Sequence, residues 1–117
     1  MAEIIRQYLE DDIELLWGSD YHETHTFYED DGVTPIDTTN WDMTLYIKKS
    51  FPNGEEFDTI ETDGVRIINT PISGQFNINL TKAEIQAYNF TTAEYRLAVD
   101  YGDGNVQVFR KGTIKVV

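Results

Sequence analysis

Cysteine is absent from the 117 residues, which excludes a disulfide framework, a thiolate metal site and a cysteine nucleophile together. The redox compartment stays open on the same ground. No apolar run approaches the ~18 residues that a membrane-spanning helix requires. The opening MAEIIRQYLEDD lacks the basic start and long apolar core of a signal peptide. The expectation is a soluble protein made in the cytoplasm. Basic residues are scarce: 9 Lys and Arg stand against 21 Asp and Glu, for a net charge of −12. Such a surface repels phosphate backbones and anionic lipid, so neither nucleic acid nor membrane is expected as a partner.

Reactive signatures are equally thin. Serine occurs only at positions 19, 50 and 73, each beside turn residues, and histidine only at 22 and 25. There is no GxSxG, no HExxH and no glycine-rich phosphate loop. General acid–base work needs a cleft that holds paired groups, and 21 acids produce accidental pairs anywhere along a chain. No catalytic residue and no cofactor is expected, and the chain does not read as an enzyme.

What is present is hydrophobic alternation. Apolar residues make up 40% and aromatics 13% of the chain, enough for a core and unlike a disordered segment. Met43, Leu45 and Ile47 alternate with Thr44, Tyr46 and Lys48, a strand with one wet face. Phe76, Ile78 and Leu80 alternate with Gln75, Asn77 and Asn79, and Tyr95, Leu97, Val99 and Tyr101 line one side of another strand. His22–Glu29, Phe57–Glu61, Val65–Ile68, Val106–Arg110 and Thr113–Val117 read as further strands, the last after a bend at Gly112. Asp31-Gly32, Pro52-Asn53-Gly54, Asp63-Gly64 and Gly102-Asp103-Gly104-Asn105 punctuate them with turn chemistry. Thr81-Lys82-Ala83-Glu84 has the form of a capping box and predicts one short helix at about 81–88.

Residues 3–17 admit two readings. Ile5, Leu9, Ile13 and Trp17 fall four apart, as on one stripe of a helix. The Asp11-Asp12 break instead favours a loose arm, residues 1–12, ahead of a strand at Ile13–Trp17. The second reading gives an arm and one sandwich domain, residues 13–117. About seven short strands with turns every ~8–12 residues describe an all-β, antiparallel, Ig-like sandwich.

His22-Glu23-Thr24-His25 suggests a metal, yet on a strand an odd spacing sends the two rings to opposite faces. The acidic turns lack the alternate-ligand loop and closing bidentate Glu of a calcium site, so no metal ligand is assigned. Trp17, Tyr21, Tyr28, Trp41, Tyr46 and Tyr88 raise the question of a sugar-stacking platform; Tyr46 and Trp41 are its candidate exposed members, against a packing role for Trp41 and most tyrosines.

Gly18-Ser19-Asp20, Asp31-Gly32, Pro35-Ile36-Asp37-Thr38-Thr39-Asn40-Trp41 and Leu45–Lys49 follow one another in a specific order. Gly74–Thr81, Ala93–Asp100 and Gly104–Val116 continue it. In this order the chain from Ile13 to Val117 resembles small Ig-like tail and baseplate-associated proteins of tailed phages and prophages. It is similar to the N-terminal domain of phage upper-baseplate proteins. Thr38 stands where that pattern has Leu, and Asn40 where it has Gly; Asn also tolerates the left-handed conformation.

The resemblance implies a non-enzymatic virion protein of the tail, baseplate or neck. Its expected partners are other phage structural proteins and further copies of itself in a homo-oligomer. Ile4, Ile5, Tyr8 and Leu9, apolar residues of the arm, are the candidate assembly contacts. On that reading, deletion of residues 1–11 leaves folding intact and abolishes assembly. Two alternatives stand beside it: a glycan- or cell-surface-binding module on the virion, and an acidic DNA mimic that inhibits a host protein. The acids cluster in turns and not along one face, which favours solubility or a basic partner over mimicry.

Overall fold

The computed structural model describes residues 9–117. Among the described residues nine strands build two facing sheets: β1 (Leu9–Glu10), β2 (Ile13–Leu15), β3 (Tyr21–Thr26), β4 (Asp42–Lys48), β5 (Glu56–Glu61), β6 (Ile67–Thr70), β7 (Gln75–Leu80), β8 (Thr92–Asp100) and β9 (Val106–Val116). The larger sheet has the order β1-β9-β8-β4-β5, with β2 also on β9; the smaller runs β3-β7-β6. Inward residues of both sheets meet in one core. Met43, Leu45 and Ile47 come from β4, Phe76, Ile78 and Leu80 from β7, and Tyr95, Leu97 and Val99 from β8; all are buried. The alternation seen in the sequence is therefore the division between core and surface. Fully burying one such side chain is worth ~1.5–3 kcal/mol.

The α-helix α1 (Lys82–Ala87) links the sheets with Thr81 as its N-cap. The Thr81 hydroxyl accepts the Glu84 amide while the Glu84 carboxylate accepts the Thr81 amide, the reciprocal arrangement its sequence predicts. The helix ends at Ala87, and Ile85 anchors it in the core.

Several boundaries differ from expectation for identifiable reasons. The arm does not extend to Asp12. Leu9–Glu10 and Ile13–Leu15 pair in parallel with β9, so the larger sheet is mixed and the sandwich includes Leu9 and Glu10. The Asp11-Asp12 break is stitched down: Asp11 N–H donates to Lys111 O at 3.0 Å, and Thr113 N–H to Asp12 Oδ1 at 3.1 Å. Gly112 makes room for this, since a Cβ there would stand 2.0 Å from Asp11 O, and β9 continues through it as one strand.

β6 begins at Ile67 and not Val65, because the Asp63 carboxylate captures the amides of Val65 and Arg66, both at 2.8 Å, into a turn. β3 stops at Thr26, and Tyr28 makes only an isolated bridge to Pro35.

A bulge re-aims one strand. Leu97 faces Arg110 and Ala98 faces Val108, which leaves Phe109 unpaired on β9. A bulge of this kind breaks the strict in–out alternation. Phe109 and Arg110, adjacent in sequence, are both buried.

Candidate functional site

Arg110 is the one buried cation among the described residues, 6% exposed. It forms a two-pronged ion pair with Glu23 of β3 in the opposite sheet. Nη2 donates to Oε1 at 2.9 Å and Nη1 to Oε2. Its Nε donates to the Tyr95 hydroxyl at 2.9 Å, and that hydroxyl donates to Asp11 O at 2.5 Å. Tyr21 donates to the same Glu23 carboxylate. Burial alone would raise the Glu23 pKa, but hydrogen bonds from Arg110 and Tyr21 outweigh it and hold the carboxyl below its usual value. Burial likewise pushes the hydroxyls of Tyr21 and Tyr95 up. The fork geometry and complete set of donors are what let such a pair survive desolvation. The network is saturated by its own members and touches Asp11, so it joins three parts of the sandwich.

Two surfaces remain open to a partner. The first is the outer face of the larger sheet, where register places residues in rows. Asp42 pairs with Asp100, and Asp100 with Val106; one row along, Thr44, Ala98 and Val108 adjoin; the next holds Tyr46, Arg96 and Lys111. Glu61 closes the middle row at the β5 edge. Like charges directly opposite, as Asp42 and Asp100 are, destabilise a sheet. Arg96 and Lys48 approach the Phe51 ring, with Arg96 Cζ 4.4 Å from its centroid. The face thus runs from a row with Asp42, Asp100 and the 63% exposed Val106, through one whose only charge is Glu61, to a row that carries Arg96 and Lys111, where Lys111 also faces Glu10 of β1 at 4.0 Å.

The second is a cleft of about 790 Å³ at one end of the sandwich. Phe90 stacks on Phe57 with centroids 4.8 Å apart and meets Tyr88 at 5.2 Å. The Tyr88 hydroxyl donates to Asp58 Oδ2 at 2.8 Å, and Arg66 Nη2 reaches the same oxygen at 2.6 Å while its Nε lies 2.5 Å from Glu84 Oε2. Trp17, 59% exposed, stands on the cleft as well.

The residues singled out by sequence are scattered. Ile4, Ile5 and Tyr8 lie outside the described residues; Leu9 is an exposed member of β1. Tyr46 occupies the outer face, half-buried. Trp41 corrects an expectation: it is only 6% exposed, with its ring 4.8 Å from Tyr101 and 5.4 Å from Phe27. It sits ahead of β4, where the chain enters the core, and is unavailable to a ligand.

His22 and His25 do fall on opposite faces of β3. His22 Nδ1 meets Asn79 Oδ1 at 2.8 Å at the surface, whereas His25 packs inward on Phe27 and Phe109. No group of three or more His, Asp or Glu among the described residues is placed to hold a metal ion. The acidic turns spend their carboxylates on local amides, as Asp31 does with Val33 and Thr34.

Sequence reasoning missed Arg110 because a bulge is invisible in a period-two pattern. It missed Phe57 and Phe90 as site residues because the cleft is assembled from four separate segments.

These features define an Ig-like β-sandwich. Among solved structures it is similar to the Ig-like domain of mouse leukocyte-associated immunoglobulin-like receptor 1, a strand-swapped dimer. The TM-score is 0.50 at 11% identity, over 91% of this chain and 88% of that one. No protein-family model and no curated protein matches the chain. At that identity the likeness concerns the fold alone.

Proposed function

We propose that this protein is a non-enzymatic structural or adaptor component of a phage virion, in a tail, baseplate or neck. It works through protein contacts and repeats as a homo-oligomer among other virion proteins. The resemblance of its ordered elements to small Ig-like tail and baseplate-associated proteins supports the setting. The observation that carries the contact is the graded outer face of the larger sheet.

A two-fold axis laid along the Thr44–Ala98–Val108 row inverts strand direction and sets each acidic row on the partner's basic row. Asp100 of one copy then meets Arg96 of the other, with the exposed Val108 and half-buried Thr44 along the axis on either side of the buried Ala98, an isologous contact. Complementary charge of this kind fixes register and orientation more than it adds affinity. It also relieves the like-charge pair Asp42–Asp100.

Mass spectrometry of purified particles tests the setting. The expected result is a fixed, multiple copy number per particle; absence of the protein from particles that carry the other tail proteins contradicts it. Deletion of residues 1–8, which spares β1, tests the assembly role of Ile4, Ile5 and Tyr8 more cleanly than removal of 1–11, which would delete β1 and the Asp11 contact to Lys111 with it.

A further inference from the structure

We propose that the aromatic cleft at the end of the sandwich is a saccharide-binding site, a role independent of the outer sheet face. Its floor is rigid. Phe90 is flanked by Phe57 and Tyr88, and Tyr88 is tied by its hydroxyl to Asp58 within the Arg66–Glu84 network. Trp17 stands apart from this stack and leaves most of its indole to solvent. An exposed indole beside a fixed wall of rings accepts the C–H face of a pyranose, whose hydroxyl edge needs polar partners.

The rim supplies them. Asn89, Thr92, Lys49 and Glu55, all exposed, line it. Amide, hydroxyl, ammonium and carboxylate together match the mixed donor and acceptor edge of a sugar better than an apolar peptide. The opposite charges of Lys49 and Glu55 give the rim no bias toward an ionic ligand, so the fitting class is a neutral hexose or N-acetylhexosamine oligomer. A cleft of about 790 Å³ lies within the ~300–1,000 Å³ of ordinary ligand sites.

The test titrates the full chain with chito-, cello-, malto- and galacto-oligosaccharides, followed by amide and indole NMR shifts. Shifts confined to the Trp17 indole and to Asn89, Phe90 and Thr92 are expected with at least one series. Trp17→Ala should weaken that binding at least about tenfold while Tyr46→Ala leaves it unchanged. A proline-rich peptide is titrated in parallel, since it too lies on an exposed indole. No shift with any saccharide, equal binding by Trp17→Ala, or shifts with the peptide alone would overturn the assignment. An unchanged amide spectrum away from the cleft verifies that Trp17→Ala is folded.

Discussion

Arg110 of β9 and Glu23 of β3 are joined across the interior by paired contacts, with side chains only 7% and 19% exposed. Antibody domains staple their sheets with a disulfide; this chain has no cysteine and links its two sheets through a charge-assisted pair instead. Removing one partner strands the other in the core, so Arg110→Met or Glu23→Leu should each destabilise by ~3–5 kcal/mol. Combining Arg110→Met with Glu23→Leu removes both charges, and urea denaturation of that double variant should recover most of the loss. Additive losses in the double variant would show that the two residues act separately.

Stability should fall in acid in two stages. Burial holds the His25 pKa below its usual 6.5, with the Arg110 charge acting the same way. Its unfolded form therefore takes a proton first, and its contribution, complete above about 6.5, declines as pH falls below that value. Glu23, whose pKa is also lowered, loses its share further down, from about 4.5 toward its lower folded value. Thermal melts between pH 7 and 4 should show the first stage, and His25→Phe should abolish it while leaving the second. An unchanged first stage in that variant refutes the role given to His25.

Gly112 sets the N-terminal strand in place. Its missing Cβ accommodates Asp11 O, so Gly112→Ala should pry β1 and β2 from β9. Hydrogen exchange should quicken at Asp11 and Trp17, whose amides bond to Lys111 O and Val117 O, with β4 and β7 protected as before. Uniform protection would mean that the strand tolerates the methyl.

Asn40 carries φ of 69°, the one positive value at a non-glycine among the described residues. Asn40→Val should cost ~1–2 kcal/mol, whereas Asn40→Gly should be close to neutral. The neighbouring Thr38 is fully buried. Its hydroxyl donates to Asn69 Oδ1 at 2.8 Å, and Asn69 Nδ2 donates back to Thr38 O at 2.9 Å. Asn69→Leu leaves those groups unpaired and should cost ~1–3 kcal/mol in denaturant unfolding.

Much of the fold was legible because the core faces of β4, β7 and β8 alternate strictly, and because Thr81 and Glu84 state the helix start. Asn40 takes the left-handed conformation that its side chain tolerates, and Thr38 pairs with Asn69. The parallel pairing of Leu9–Leu15 was not legible, since nothing local distinguishes a strand that pairs with residues 101 positions away. Nor was Arg110, which a regular pleat would turn outward. The cleft was legible only in part: Trp17 and Tyr88 stood among the aromatic candidates, but they meet Phe57 and Phe90 only after both sheets have formed. Trp41 misled because an aromatic beside turn residues looks exposed until the Phe27 and Tyr101 rings close over it.

The most direct test of the account is sedimentation equilibrium of the full chain with the single variants Arg96→Asp and Asp100→Arg and their combination. The wild type should self-associate, and more weakly as salt screens the rows. Each single variant should be shifted toward monomer, and the combined swap, which restores opposite charges across the two-fold axis, should associate again. A wild type that stays monomeric throughout, or single variants that associate as it does, would contradict the proposed contact between copies.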